Sequence, residues 1–152
     1  MGARINIDEA NMVITSSSAS TKAAIVDAAD CPDIIPVLAV LAAVSEGTTE
    51  IINAGRLRIK ECDRLKAVAT ELGKLGADIT ELADGLVIKG RKLLTGGEVE
   101  CWNDHRIAMS LAIASCKCQS ELVVHGTESV KKSYPKFWED FAALGGQIER
   151  VG

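Results

Sequence analysis

An internal repeat with a period of about 70 residues constrains this chain more than any other feature, because each copy must be one supersecondary unit stacked on its neighbour. Met1-Gly2-Ala3-Arg4-Ile5, Leu75-Gly76-Ala77-Asp78-Ile79 and Leu144-Gly145-Gly146-Gln147-Ile148 each read as a helix end, a glycine able to turn left-handed, and the start of a strand. The first two stay in register further on. Met12-Val13-Ile14 follows Ile5 at the spacing at which Leu86-Val87-Ile88 follows Ile79, which predicts two hairpins turning at Ala10-Asn11 and Asp84-Gly85.

The helices repeat too. Residues 34–45 match residues 107–117 as apolar helices that follow Asp33 and Asp104, 71 positions apart. Leu65, Val68, Ala69, Leu72 and Leu75 form a helical stripe, and Phe137, Phe141 and Leu144 form its counterpart. A strand lies between the helices of each pair: Thr49-Glu50-Ile51-Ile52-Asn53 in one copy, Glu121-Leu122-Val123-Val124-His125 in the other. The chain opens on closing strands that belong to an earlier copy, so Met1 is expected to mark a boundary within a longer protein. The expected division is 1–20 for those closing strands, 21–92 for one complete unit and 93–152 for the final unit.

Composition narrows the function classes. At 152 residues, 47% hydrophobic and 25% charged, the chain has enough apolar surface for one domain with its own core. A net charge of -4 argues against a general nucleic-acid surface, which needs clustered Lys and Arg. The longest apolar run, residues 34–44, falls short of the roughly 20 residues that cross a bilayer and reads as a core helix. No basic segment followed by an apolar one opens the chain, so an export signal is not expected. Five cysteines, at 31, 62, 101, 116 and 118, are odd in number and sit in helical and strand patterns, which fits a reduced, cytoplasmic setting. Cys116-Lys117-Cys118 lacks a second Cys/His pair at zinc spacing, so core thiols are expected there and no metal site.

Chemistry gathers at the helix starts. Asp33, Asp63, Asp104 and Ser133 each stand one residue before a helical pattern, as capping residues do, and Pro36 and Pro135 fall in first turns. Capping does not account for Lys60, Glu61 and Arg64 around Asp63, for His105 and Arg106 after Asp104, or for Lys131 and Lys132 before Ser133. Cations at a helix N-terminus oppose the macrodipole and cost up to about 1 kcal/mol each unless something anionic offsets them. Helix N-termini with Arg and Lys are a common construction for phosphate or carboxylate binding. A site that only held an anion would gain nothing from Glu61 between Lys60 and Arg64. Acid–base chemistry on an anionic substrate would use it. A non-catalytic anion-binding module and a purely structural repeat remain the readings from other classes.

Four ordered motifs carry a family resemblance across nearly the whole chain: Asp30-Cys31-Pro32-Asp33, Leu57-Arg58-Ile59-Lys60-Glu61-Cys62-Asp63-Arg64-Leu65, Asp104-His105-Arg106-Ile107-Ala108-Met109 and Lys132-Ser133-Tyr134-Pro135-Lys136-Phe137. They resemble the C-terminal part of the 5-enolpyruvylshikimate-3-phosphate synthases. The sister transferases acting on UDP-N-acetylglucosamine share the repeat but lack the Lys-Glu-x-Asp-Arg and Asp-His-Arg runs. The resemblance implies an α/β (α+β) fold of βαβαββ units, with helices packed on mixed four-stranded sheets and about two units present. It also implies a cofactor-free shikimate-pathway enzyme that moves the enolpyruvyl group of phosphoenolpyruvate onto the 5-hydroxyl of shikimate 3-phosphate.

By motif, Asp33 is implied as base toward the hydroxyl, Glu61 as proton exchanger at the phosphoenolpyruvate methylene, and Lys60 as a contact to the hydroxyl side and the shared intermediate. Arg64, Arg106 and Lys132 are implied to bind the phosphoenolpyruvate oxyanions, with His105 close by. Bidentate contacts favour Arg over Lys at 64 and 106. Two departures stand out. Cys62 replaces a small hydroxyl residue, and the repeat register pairs Lys60 with Lys131 whereas the motif selects Lys132. Enzymes of this family are roughly three times longer, with a second domain that supplies the shikimate-phosphate site. Thr15-Ser16-Ser17-Ser18-Ala19-Ser20 reads as a loop and not as that site. Without the other domain a closed site cannot form, so the chain alone is expected to be inactive, and apolar surface left uncovered would favour self-association.

Overall fold

The computed structural model describes residues 1–3, 5–16 and 20–150; Arg4, Ser17, Ser18 and Ala19, named in the motifs above, lie outside the described residues, as do 151–152. A hairpin opens the chain, with β1 (Ile5–Asp8) antiparallel to β2 (Val13–Ser16). Its turn spans residues 9–12, centred on Ala10-Asn11, and the Asp8 carboxylate accepts from Asn11 N and Nδ2. Both strands are exposed throughout, including Ile5, Ile7, Val13 and Ile14.

The next stretch forms β3 (Ile25–Asp27), α1 (Ile35–Ala43), β4 (Thr48–Ile52), α2 (Arg64–Lys74), β5 (Asp78–Leu82) and β6 (Gly85–Lys89). Its sheet runs β3-β4-β6-β5, with β3 parallel to β4 and the other neighbours antiparallel. A parallel pair needs a crossover, and α1 supplies it. The β5–β6 turn is the two residues Ala83 and Asp84, one position earlier than the sequence suggests, and Gly85 belongs to β6. Glycine is required there because a Cβ would collide with the Ile51 carbonyl oxygen of β4.

The last stretch repeats the plan, with β7 (Gly97–Glu100), α3 (His105–Ser115), β8 (Leu122–His125) and α4 (Phe137–Ala143). β7 and β8 are parallel, with α3 as their crossover. Gly76 and Gly145 both take positive φ just past a helix end, as read from the repeat. The strand expected after Gly145 is not formed. Among the described residues this sheet has two strands and not four.

One core holds the two stretches together. Ile35, Ala39 and Val40 of α1, Leu65, Val68 and Leu72 of α2, and Ile107 and Leu111 of α3 pack with Ile51, Leu86 and Ile88 from the sheet. A smaller cluster, Cys101, Ala108, Ala112, Val130 and Phe137, seats α4. Leu144, assigned by periodicity to the α4 stripe, is exposed because α4 ends at Ala143 and Leu144 is already its C-cap. Cys116 likewise caps α3 and is exposed, which corrects its reading as a core thiol, whereas Cys118 packs against the core. No helix among the described residues is long and apolar enough to cross a membrane.

Candidate active site

The starts of α1, α2 and α3 meet at the Arg64 guanidinium. Asp63 caps α2 by accepting from Lys66 N, and Asp104 caps α3 by accepting from Arg106 N, as their positions before the helices predict. These two caps fix Arg64 and the His105-Arg106 pair at the first turns of their helices. Asp33 and Ser133 are not caps. Asp33 sits in the 3-10 turn Pro32–Ile34 before α1 and caps nothing, because three cations draw its carboxylate away. Ser133 closes the 3-10 stretch Thr127–Lys132, and α4 starts only at Phe137, so Pro135 stands in the preceding turn.

Arg64 is fully buried, and carboxylates use most of its donors. Nε donates to Asp104 Oδ2 at 2.7 Å, Nη1 to Asp33 Oδ1 at 2.9 Å, and Nη2 to Glu61 Oε2 at 2.6 Å and to Asp104 Oδ1 at 3.3 Å. Of the five N–H groups of a guanidinium, this leaves one over. Asp33 also receives Lys60 Nζ at 3.3 Å and Arg106 Nη2 at 3.0 Å. Three carboxylates therefore face three cations, and the cluster is close to neutral by itself. With side chains 26% and 33% exposed, Lys60 and Arg106 are the cations of this group that meet solvent, against 1% for Arg64.

His105 is buried with Nδ1 lacking a hydrogen-bond partner, 3.8 Å from Glu61 Oε1. Lys132 lies to one side, its Nζ donating to the Asn103 carbonyl at 2.6 Å and to Asn103 Oδ1 at 3.0 Å. Lys132 is thus tied to the residue that precedes the Asp104-His105-Arg106 segment. Asp33 and Arg106 form the polar rim of an open groove between α1 and α3, lined by Ile34, Val37, Met109 and Ile113.

These contacts set the proton affinities. Burial pulls the Asp104 carboxyl up, but the hydrogen bonds from Arg64 and the Arg106 amide outweigh it and hold the group below the ordinary 3.8. Burial also raises Asp33, and Arg106, Lys60 and Arg64 together bring it below that value. The Cys62 thiol, 3.6 Å from Asp104, is pushed up to about 12 by burial and by that carboxylate. It is therefore a neutral thiol near neutral pH and no nucleophile. In place of a small hydroxyl residue, it can still donate weakly to Asp104.

Several contributors have no role assigned by the linear motifs. Arg58 donates to the Ala83 and Leu82 carbonyls and to Asp63 and Glu81, tying the β5–β6 turn to the α2 cap. Trp102 and Asn103 both have positive φ, 53° and 52°, a conformation that costs a residue with a Cβ about 1 kcal/mol or more. The one local signal for the buried Glu71 was its position inside the α2 stripe, three residues after Val68 and one before Leu72.

A family model described as EPSP synthase (3-phosphoshikimate 1-carboxyvinyltransferase) matches residues 1–141. Among similar curated proteins, the 3-phosphoshikimate 1-carboxyvinyltransferase of Clostridium perfringens (strain ATCC 13124) is 61% identical over 98% of this chain and 35% of its own length. That of Clostridium novyi (strain NT) is 57% identical over 98% of this chain and 34% of its own length. A solved EPSP synthase from Acinetobacter baumannii superposes with a TM-score of 0.86 at 33% identity, over 98% of this chain and 38% of that one. The chain spans about a third of the length of the curated relatives it matches.

Proposed function

The chain belongs to the EPSP synthase family, and from that premise we propose that it carries one half of a site moving the enolpyruvyl group of phosphoenolpyruvate to the 5-hydroxyl of shikimate 3-phosphate. The other half would lie on the two-thirds of the relatives' length that this chain does not span, together with the site for the shikimate phosphate. Residues 21–92 and 93–152 act as two repeat units in this reading, and the protein works in the cytoplasm without a cofactor.

The supporting observation is the ring of Asp33, Glu61 and Asp104 around buried Arg64, at the junction of three helix starts. The reaction forms a bond from the 5-oxygen to C2 of phosphoenolpyruvate while C3 gains a proton. Loss of a proton from C3 and cleavage of the bond from C2 to the phosphate oxygen then restore the double bond and release phosphate. Asp33, kept ionised by its cations, takes the hydroxyl proton, with Lys60 beside it. Glu61 has one oxygen on Arg64 and the other near His105, and it exchanges the C3 proton. Arg106, Lys132 and the remaining N–H of Arg64 bind the oxyanions of phosphoenolpyruvate, with His105 adjacent.

Phosphoenolpyruvate added to this chain at low salt is expected to shift the backbone amide resonances of His105 and Arg106 saturably, and the shifts should weaken as salt rises. Unchanged resonances at these positions and at Arg64 would instead mark a structural repeat with no ligand.

A further inference from the structure

We infer that Glu71, two helical turns beyond Arg64 on α2, is a positioning residue for the anion-binding side of this site. Its side chain is 1% exposed and accepts three hydrogen bonds: from Trp102 Nε1 at 2.8 Å onto Oε1, and from Glu100 N at 3.0 Å and Lys74 Nζ at 2.8 Å onto Oε2. A buried carboxylate is a costly way to fill space, since an apolar residue would pack there without losing hydration. What the carboxylate does here is hold the turn between β7 and α3.

That turn needs holding. Trp102 and Asn103 are consecutive non-glycine residues with positive φ, and an unrestrained chain would leave that conformation. Everything the turn delivers belongs to the site: Asn103 receives Lys132 through its carbonyl and Oδ1, Asp104 receives Arg64, and His105 and Arg106 follow. The α2 helix therefore grips this connection twice, through Arg64 on Asp104 and through Glu71 on Trp102 and Glu100. Releasing the second grip lets Trp102-Asn103 relax and moves Lys132 and Arg106 together, while Glu61 and Asp33 keep their bonds to Arg64.

This inference rests on the proposed enolpyruvyl transfer, and the test separates the two. In the full-length enzyme, Glu71→Gln leaves a single acceptor oxygen, so an amide N–H₂ must face either Trp102 or the Glu100 amide. Trp102→Phe removes only the indole donor. Each is expected to raise KM for phosphoenolpyruvate about tenfold or more with kcat within about threefold, as expected where ground-state binding is lost. The double variant should do no worse than the more affected single one, because both changes cut the same tie. A merely structural role would lower the active fraction, and so kcat, and leave KM alone. An unchanged KM in both single variants overturns the inference. If Glu71→Gln does not fold, Trp102→Phe decides by the same criterion. If the unsubstituted full-length enzyme shows no turnover, the enolpyruvyl-transfer reading fails, and affinity for inorganic phosphate at the Arg106 amide of this chain then decides, weakened in Trp102→Phe for the inference and unchanged against it.

Discussion

Replacing Arg64 with alanine is expected to lower the unfolding free energy of this chain by about 4 kcal/mol, the usual cost of removing one partner from a buried ion pair. The Asp104 side chain is 0% exposed, so without Arg64 its charge is stranded where water does not reach it. For a chain of this size the change corresponds to a fall in Tm of about 10 °C. Arg64→Lys should fall between, because an ammonium cannot satisfy Asp104, Asp33 and Glu61 at once. The effect carries a pH signature. Asp104 is held below its ordinary 3.8 in the folded chain, so its pairing stabilises the fold above that pH and is lost as pH falls through the depressed value. In Arg64→Ala the buried carboxyl gains by taking up a proton. The gap in Tm between the two proteins should therefore narrow toward acid. A loss under about 1 kcal/mol, or a gap independent of pH, would mean that Arg64 is not the hub its contacts suggest.

Glu61→Gln in the full-length enzyme is expected to cut kcat by about 10³-fold while phosphoenolpyruvate still binds, because the amide keeps the shape of the side chain and loses its proton transfer. Asp33→Asn should also cost activity, through the hydroxyl step. The two effects should not add, since both carboxylates share the Arg64 guanidinium and a change at one shifts the other. An anion-binding module would behave in the opposite way. It would keep or gain affinity on losing either carboxylate, and no turnover would exist to be lost. Steady-state rates beside direct binding of phosphoenolpyruvate separate these outcomes.

Local features of this chain are legible in its sequence and long-range ones are not. Asp63 and Asp104 announce helix starts because capping involves only the next few residues. The α2 stripe was legible for the same reason, and Leu65, Val68, Leu72 and Leu75 are all in the core. Asp33 stands in the same local position but does not cap, because Lys60, Arg64 and Arg106 come from 27 to 73 positions away and compete successfully for its oxygens. Arg64 was placed with the site by its motif, yet nothing in the motif says that it is buried. Its partners just ahead of α1 and α3 become neighbours only once the three helices pack together. The short strands β3 and β7 have too few residues to show a period. Glu71 illustrates a further limit: its carboxylate looks like a flaw in an apolar stripe until Trp102 appears opposite it.

If these residues form half of an enolpyruvyl transfer site, release of phosphate from phosphoenolpyruvate with shikimate 3-phosphate requires the rest of the enzyme. The assay compares this chain alone with the same residues in a full-length enzyme. No phosphate release is expected from the chain alone, because half a site cannot exclude water or hold the second substrate, and turnover that depends on both substrates is expected from the full-length enzyme. Turnover by the chain alone, or a folded full-length protein that releases no phosphate, would contradict the half-site reading.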